Sequence, residues 1–224
     1  MMAALYKLPI ARLGRSWATL LAAVAWTLLA LVPALSVRRH QGHAYTALSG
    51  AFSEITLPLV VFGLTGRVLA GGNMKDAIRP LVGLGAAPAQ AAVSMTTTAM
   101  LAGALAGALQ GALVAAVAHG PGDPPLAWDV LTSAEVGALG GAAYAALFAF
   151  GSTFGGAVGR SVLLGADWVL GASGSGALLF PRGHVRSLLG GELAGFAMSQ
   201  RASFGALMVL TGLFGAMAVG RTRR

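Results

Sequence analysis

Three carboxylates, Glu54, Glu135 and Asp167, fall inside long apolar runs of this 224-residue chain, with Arg67 and Arg160 near the ends of the same runs. A charged side chain at the centre of a hydrocarbon layer costs about 3 kcal/mol on insertion scales, so each intramembrane carboxylate is a functional candidate by default. A proton or cation relay would need several ionisable groups facing one another, and these runs hold few. A place near an interface, or pairing with an arginine or a backbone donor, accounts for Glu54 and Asp167 with less chemistry.

Nucleophilic and metal chemistry find less support. The stretch Gly-Ala-Ser-Gly at 171–174 resembles the Gly-x-Ser-Gly element of rhomboid proteases, with Ser173 in the place of the nucleophile. A serine nucleophile needs a histidine base within hydrogen-bond reach. The only later histidine is His184, in a polar stretch beside Pro181. His40, His43 and His119 fall in loops. The first two are spaced i, i+3 but have no acidic residue beside them, and zinc asks for more ligands, so no metal site is expected. No phosphate-binding loop of the G-x-x-x-x-G-K-[ST] type is present, so the chain holds no ATP site of that kind. No catalytic residue, no metal and no cofactor of its own are expected, and the chain does not read as an enzyme.

The elements that must position these residues follow from composition. Hydrophobic residues make up 56% of the chain and charged residues only 10%, with mean hydropathy +0.76. Soluble domains carry about 25% charged residues. Apolar runs long enough to cross a layer about 30 Å thick recur along the whole sequence. They are continuous rather than alternating, which excludes a β-barrel. The expected fold class is therefore all-α, a polytopic membrane protein of six transmembrane helices at about 16–37, 45–70, 89–118, 133–158, 161–180 and 202–220, forming one domain over 1–224. The first run follows Lys7, Arg12 and Arg15 but exceeds the apolar core of a signal peptide, so it reads as a retained span. The formal charge of +8 sits at the ends of apolar runs, which points to anionic lipid headgroups and away from nucleic acid. With no cysteine, neither a disulfide nor a thiolate site is possible.

Ahead of the first run, residues 1–17 form a short basic segment expected to lie on the membrane surface as an amphipathic N-terminal helix. The stretch 119–129 is rich in proline and glycine and reads as an exposed turn. Residues 181–201 are too polar to cross and read as a surface or re-entrant helix. Ten of the fifteen Lys and Arg residues fall on the side of the N-terminus, which orients both termini to the cytoplasm of a cell inner membrane. Gly103, Gly107 and Gly111 recur every four residues, as do Gly151, Gly155 and Gly159, and such ridges let helices approach closely.

The segment 71–92 is the exception among these apolar runs, with Lys75, Asp76 and Arg79 on one side and Ala77, Ile78, Leu81, Val82 and Leu84 on the other. A short cytoplasmic helix of this kind suits partner docking, with Lys75, Asp76, Ile78, Arg79 and Leu81 as its contact residues. The run 57–93, with Leu57-Pro58, Gly66-Arg67, the charged segment Lys75 to Arg79 and Gly83 or Gly85, resembles the region of ABC-transporter permeases that joins two spans through a coupling helix. The layout as a whole is similar to type-2 exporter permeases, and the local pattern to the lipopolysaccharide-export permeases. The loop of about a dozen residues after the third run leaves no room for the periplasmic β-domain of the latter. The resemblance implies a permease subunit working with a cytoplasmic ABC ATPase that carries the ATP and Mg, beside a second permease half in a homo- or heterodimer. It also implies export of a hydrophobic or amphipathic cargo. The competing readings are a non-catalytic structural or assembly subunit of a larger membrane complex, and a secondary transporter or channel.

Overall fold

The computed structural model describes residues 2–14, 17–171, 174–191 and 198–223, and all regular secondary structure among them is helical. The elements are α1 (Met2–Gly14), α2 (Trp17–Arg39), α3 (Ala44–Ala47), a π-helical segment (Leu48–Thr56), α4 (Leu57–Val68), α5 (Met74–Gly83) and α6 (Pro88–Ala118). They continue with α7 (Leu126–Gly155), α8 (Ala157–Leu170), a 3-10 turn (Gly174–Leu178), α9 (Pro181–Leu188), α10 (Gln200–Gly220) and a last 3-10 turn (Arg221–Arg223). Five helical stretches among the described residues are long and apolar enough to cross a membrane: Leu21–Arg39, Ala44–Val68, Pro88–Ala118, Leu126–Gly155 and Gln200–Gly220. The chain is a multi-pass helical membrane protein.

The expected run at 161–180 is not one helix. In its place α8, with 14 residues, reaches about 21 Å at 1.5 Å per residue, short of a layer about 30 Å thick. Gly171 closes it, Gly174–Leu178 makes a 3-10 turn, and α9 begins at Pro181. Hydropathy averaged over the run does not register that the helix ends ahead of Gly171. The run expected at 133–158 also shifts. It starts at Leu126, behind Pro124-Pro125 and with Asp129 in its first turn, where a carboxylate favours the positive end of the helix dipole. It stops at Gly155 because Gly156 takes φ +56°, ψ −122°, a conformation closed to side chains, and a Cβ there would stand 3.1 Å from the Asn73 amide nitrogen. Gly151, Gly155 and Gly159 are therefore not one ridge. Gly151 faces Gly159 across the turn, on α8, and Gly155 meets only Val158.

The glycines of α6 do form a ridge, and it lies against α7. Gly103 faces Gly141, Gly107 faces Gly137 and Gly111 faces Ser133, an order that makes the two helices antiparallel. A Cβ on Gly103 would sit 2.5 Å from the Gly141 carbonyl oxygen, and one on Gly107 would overlap the Gly137 carbonyl. In lipid, where apolar surface gains nothing by leaving the solvent, such backbone-level packing is what holds helices together. The span of α7 is 72% buried against 11% for that of α2, so α7 is the central helix and α2 the outermost. Around α7 gather the fully buried Tyr144, Leu147 and Phe148, with the Phe62 ring edge-on to Phe148 at 5.4 Å.

Two ends of the bundle can be told apart. At one end lie α1, the exit of α4, α5, the turn between α7 and α8, and the exit of α10, where the Arg221 guanidinium stands over the Phe154 ring at 5.8 Å. Both ends of the described chain are here, and we call this the near end. At the far end the link between α2 and α3 meets the link between α6 and α7, through His43 and Asp123. Gly190 and Gly191, ahead of α10, reach the same end beside Tyr45 and Ser49.

Filling the glycine contact tests this packing. Gly107→Ala is expected to lower stability by about 1–3 kcal/mol through overpacking. Gly212→Ala, with nothing within 4 Å of its new Cβ, is expected to change it by less than about 0.5 kcal/mol. Thermal unfolding of both variants in detergent micelles checks the difference.

Candidate functional site

Local sequence defines α5 sharply. Asn73 caps it, its side-chain oxygen accepting from the Asp76 amide at 2.8 Å, and Asp76 sits in the first turn, where a negative charge is favoured. Pro80 lies inside the helix and removes one donor from it. Gly85, at φ +89°, ends the segment, and the Ala86 amide returns to the Leu81 carbonyl at 3.0 Å. Lys75, Asp76 and Arg79 are exposed, while Met74, Ala77, Ile78 and Leu81 are buried. Ile78 and Leu81, grouped by sequence with the partner-facing residues, thus lie against the chain's own bundle. The free face consists of Lys75, Asp76, Arg79, Val82 and Leu84. The Arg79–Asp76 pair at 3.4 Å is solvent-exposed and adds little stability.

Two arginines tie this helix to the rest. From α1, the Arg12 guanidinium donates to the Val68 carbonyl at 3.0 Å and to the Ala77 carbonyl at 3.3 Å, so it joins the end of α4 to the middle of α5. Arg160, at the start of α8, is 3% exposed. It donates to the Gly72 carbonyl at 3.2 Å, the Gly71 carbonyl at 3.4 Å and the Ser152 hydroxyl at 3.0 Å, with its guanidinium 5.7 Å from the Phe62 ring centroid. Two positive-φ residues, Ala70 and Gly71, form the turn that presents those carbonyls. The loop leading into α5 is thereby bound to both α7 and α8.

At the other end of α8 the polar side chains gather. Asp167, fully buried, accepts from the Tyr144 hydroxyl at 3.0 Å and from the Arg182 amide at 3.2 Å. Glu54 pairs with Arg182 at 3.2 Å and with Arg186 at 2.9 Å. Arg182 also donates to the Trp168 carbonyl at 2.7 Å, so one side chain of α9 bridges Glu54 to the end of α8. The backbone break that admits this cluster has a source in Pro58. Proline has no N–H to offer the carbonyl four residues earlier, and that carbonyl, on Glu54, accepts instead from the Trp168 indole at 3.0 Å. Upstream, Leu48–Thr56 winds as a π-helix with Gly50 at φ −92°, ψ −106°, outside helical values. Such segments concentrate where a helix must re-aim a side chain, here Glu54.

The sequence candidates are therefore sorted by the fold. Glu54 and Asp167 come together, held by Arg182, Arg186 and Tyr144, whereas Glu135 lies on the exposed face of α7 apart from them. His184 is not in a polar loop. It is fully buried in α9, with its Nε2 at 3.1 Å from the Leu178 carbonyl. Ser173 lies outside the described residues. At the far end, His43 Nδ1 stands 3.0 Å from Asp123 Oδ1, so the histidine that has no acidic neighbour in sequence gains one from 80 residues away. Burial pushes the Asp123 carboxyl up, but the Gly120 and Ala44 amides and the His43 ring outweigh it and hold it below the usual carboxylate range.

The chain matches no family model, no curated protein and no solved structure. Its site must be read from its own geometry. Arg182, Arg186, Tyr144 and Trp168 are the members of the inner cluster that sequence reasoning missed. The signal available for the two arginines was their i, i+4 spacing, which puts both on one helix face.

Removing the charge of Glu54 tests the cluster. Glu54→Gln leaves Arg182 and Arg186 without their carboxylate and is expected to cost about 1–3 kcal/mol, the range for a hydrogen bond to a charged group. Asp76→Asn, which breaks an exposed pair, is expected to cost less than about 1 kcal/mol. Paired melting curves check the order.

Proposed function

We propose that this chain is the membrane-spanning permease subunit of an ATP-driven transporter, with α5 as the coupling helix on which a separate cytoplasmic ATPase docks. The observation that carries the reading is the division of α5. Its charged residues Lys75, Asp76 and Arg79 are free, while its buried face and the two arginines, Arg12 and Arg160, fasten it to the bundle. A helix loose on the surface could bind a partner but could not pass on its movement. Here Arg160 connects the α5 loop to α8, and α8 carries Asp167 into the inner polar cluster. ATP and Mg belong to the ATPase, and this chain supplies no catalytic group. Work enters only because the two bundle states bind the ATPase differently, and α5 is where that difference acts.

Counted as a sixth, broken passage, α8 and α9 return the chain to the far end before α10. An even number of passages sets both termini on one side, which the lysine and arginine distribution marks as cytoplasmic. On this reading α1 lies at the cytoplasmic surface of the cell inner membrane. The outermost helix, α2, with Trp17, Leu21, Val24 and Leu28 exposed, faces lipid or a second permease half. The partly buried Glu54, Arg182 and Arg186 pair with one another in the inner cluster, which leaves mainly apolar span surfaces and suits an amphipathic or hydrophobic cargo.

Affinity capture of the tagged full-length protein from membranes in mild detergent tests the docking surface. The comparison is a variant carrying Lys75→Glu, Asp76→Lys and Arg79→Glu, which leaves Ile78 and Leu81 in place. An ATPase that accompanies the wild type and falls at least tenfold in the variant is the expected outcome. Capture of no ATPase, or equal capture by both, overturns the reading and favours a structural subunit. Arg160→Gln is expected to retain the captured ATPase but uncouple its hydrolysis from transport, measured as ATP turnover against cargo movement in proteoliposomes.

A further inference from the structure

The far end of the bundle brings together four side chains that no element of the proposed function uses: His43, His119, Asp123 and Asp129. His119 leaves the end of α6, Asp123 lies in the loop that follows, and Asp129 stands in the first turn of α7. One ligand atom from each of His119, Asp123 and Asp129 lies within 4.8 Å of the others. We propose that these three residues form a binding site for a transition-metal dication of the zinc class, with His43 as the outer partner that orients Asp123.

The distances fit an ion pair when His119 is protonated and leave room for a shared ion when it is neutral. His119 Nδ1 and Asp129 Oδ2 are 3.6 Å apart, too far for a hydrogen bond. Both atoms are buried, and neither has a hydrogen-bond partner among the described residues. An unpaired buried acceptor facing an unpaired ring nitrogen is costly unless something sits between them. Two ligands at about 2.0–2.1 Å from a tetrahedral zinc stand about 3.4 Å apart, close to the gap observed. A set of imidazole nitrogen and two carboxylates suits zinc and its neighbours in the first transition row better than magnesium, which prefers oxygen alone.

Asp123 is already placed for this work. Its Oδ2 accepts from the Ala44 amide at 3.0 Å and the Gly120 amide at 2.9 Å, and its Oδ1 faces His43 Nδ1 at 3.0 Å. A carboxylate held by a histidine on one lone pair keeps another for a metal, the arrangement that outer partners impose on metal ligands. The two carboxylates supply the negative charge that a dication needs, and the fourth coordination position is left to water. Partial exposure, 26% at His119 and 16% at Asp129, gives the ion a way in. A bound ion would pin the end of α6 to the start of α7 and, through His43, to the link between α2 and α3. This proposal does not depend on the transport reading.

The test is a metal titration of the full-length protein in detergent micelles after chelator treatment and dialysis. Cobalt(II) is followed by its visible absorption and displaced with zinc(II), with stoichiometry by elemental analysis. One cobalt per chain, displaced by zinc, is expected, and zinc is expected to raise the melting temperature. His119→Gln and Asp129→Asn are expected to weaken binding by tenfold or more. His43→Gln is expected to weaken it by about 10–100-fold, as loss of an outer partner does. His40→Gln, whose ring nitrogen instead meets the Ser36 carbonyl at 2.8 Å, is expected to leave it unchanged. Absence of saturable binding at millimolar cobalt or zinc overturns the proposal, and the wild-type titration alone suffices for that. Binding that survives both His119→Gln and Asp129→Asn overturns it equally.

Discussion

Direct contact between the backbones of α6 and α7 is the constraint from which the rest of the bundle is hung. Gly103, Gly107 and Gly111 meet Gly141, Gly137 and Ser133 so closely that no side chain fits between them. Two helices of about 30 residues thus become one rigid antiparallel pair, and the remaining elements pack on its two sides. Because the bilayer offers no hydrophobic drive to hold helices together, this contact must come from close packing, and small residues, here mainly glycine, permit it. The far-end histidines and carboxylates inherit their spacing from the same pair, since His119 ends one helix and Asp129 begins the other.

Around that pair, polar groups are placed where helices break. Proline at position 58, a π-helical turn ahead of it and the positive-φ turn after α4 each free backbone groups that an unbroken ladder would consume. The freed groups are taken up by side chains from distant elements. The Glu54 carbonyl accepts the Trp168 indole, and the Gly71 and Gly72 carbonyls accept Arg160. Irregular backbone at membrane depth is tolerated only when protein satisfies it in this way. The carboxylates of the inner cluster follow the same rule, Asp167 meeting donors from α7 and α9 and Glu54 two arginines of α9.

Much of the architecture was legible in the sequence because it depends on local pattern. Apolar runs gave the five long helical stretches, Lys75, Asp76 and Arg79 set against an apolar side marked α5, and the glycine period of α6 announced a close contact. What stayed hidden depends on residues far apart. The expected pairing of buried carboxylates with arginines or backbone donors holds for Glu54 and Asp167, but nothing local named Arg182, Arg186 or Tyr144 as the partners. His43 lacks an acidic neighbour within its own loop and finds Asp123 across the bundle. Gly151, Gly155 and Gly159 kept a helical period straight through a turn, because a spacing of four carries no record that Gly156 adopts a positive φ. The end of α8 at Leu170 was missed for a related reason, since glycine and alanine score as apolar whether or not they continue a helix.

The inner cluster also fixes an order in which the chain can be made. Glu54 and Tyr144 emerge from the ribosome before Asp167, and Arg182 and Arg186 only after it. When α8 has been made, its carboxylate can meet the tyrosine hydroxyl, but the amide of Arg182 has not yet been synthesised. Glu54, older still, waits through the making of more than a hundred residues for its guanidinium partners. Until α9 arrives, the acid of this short helix has the Tyr144 hydroxyl but not the Arg182 amide as a donor. The cluster can therefore close only once α9 has been made.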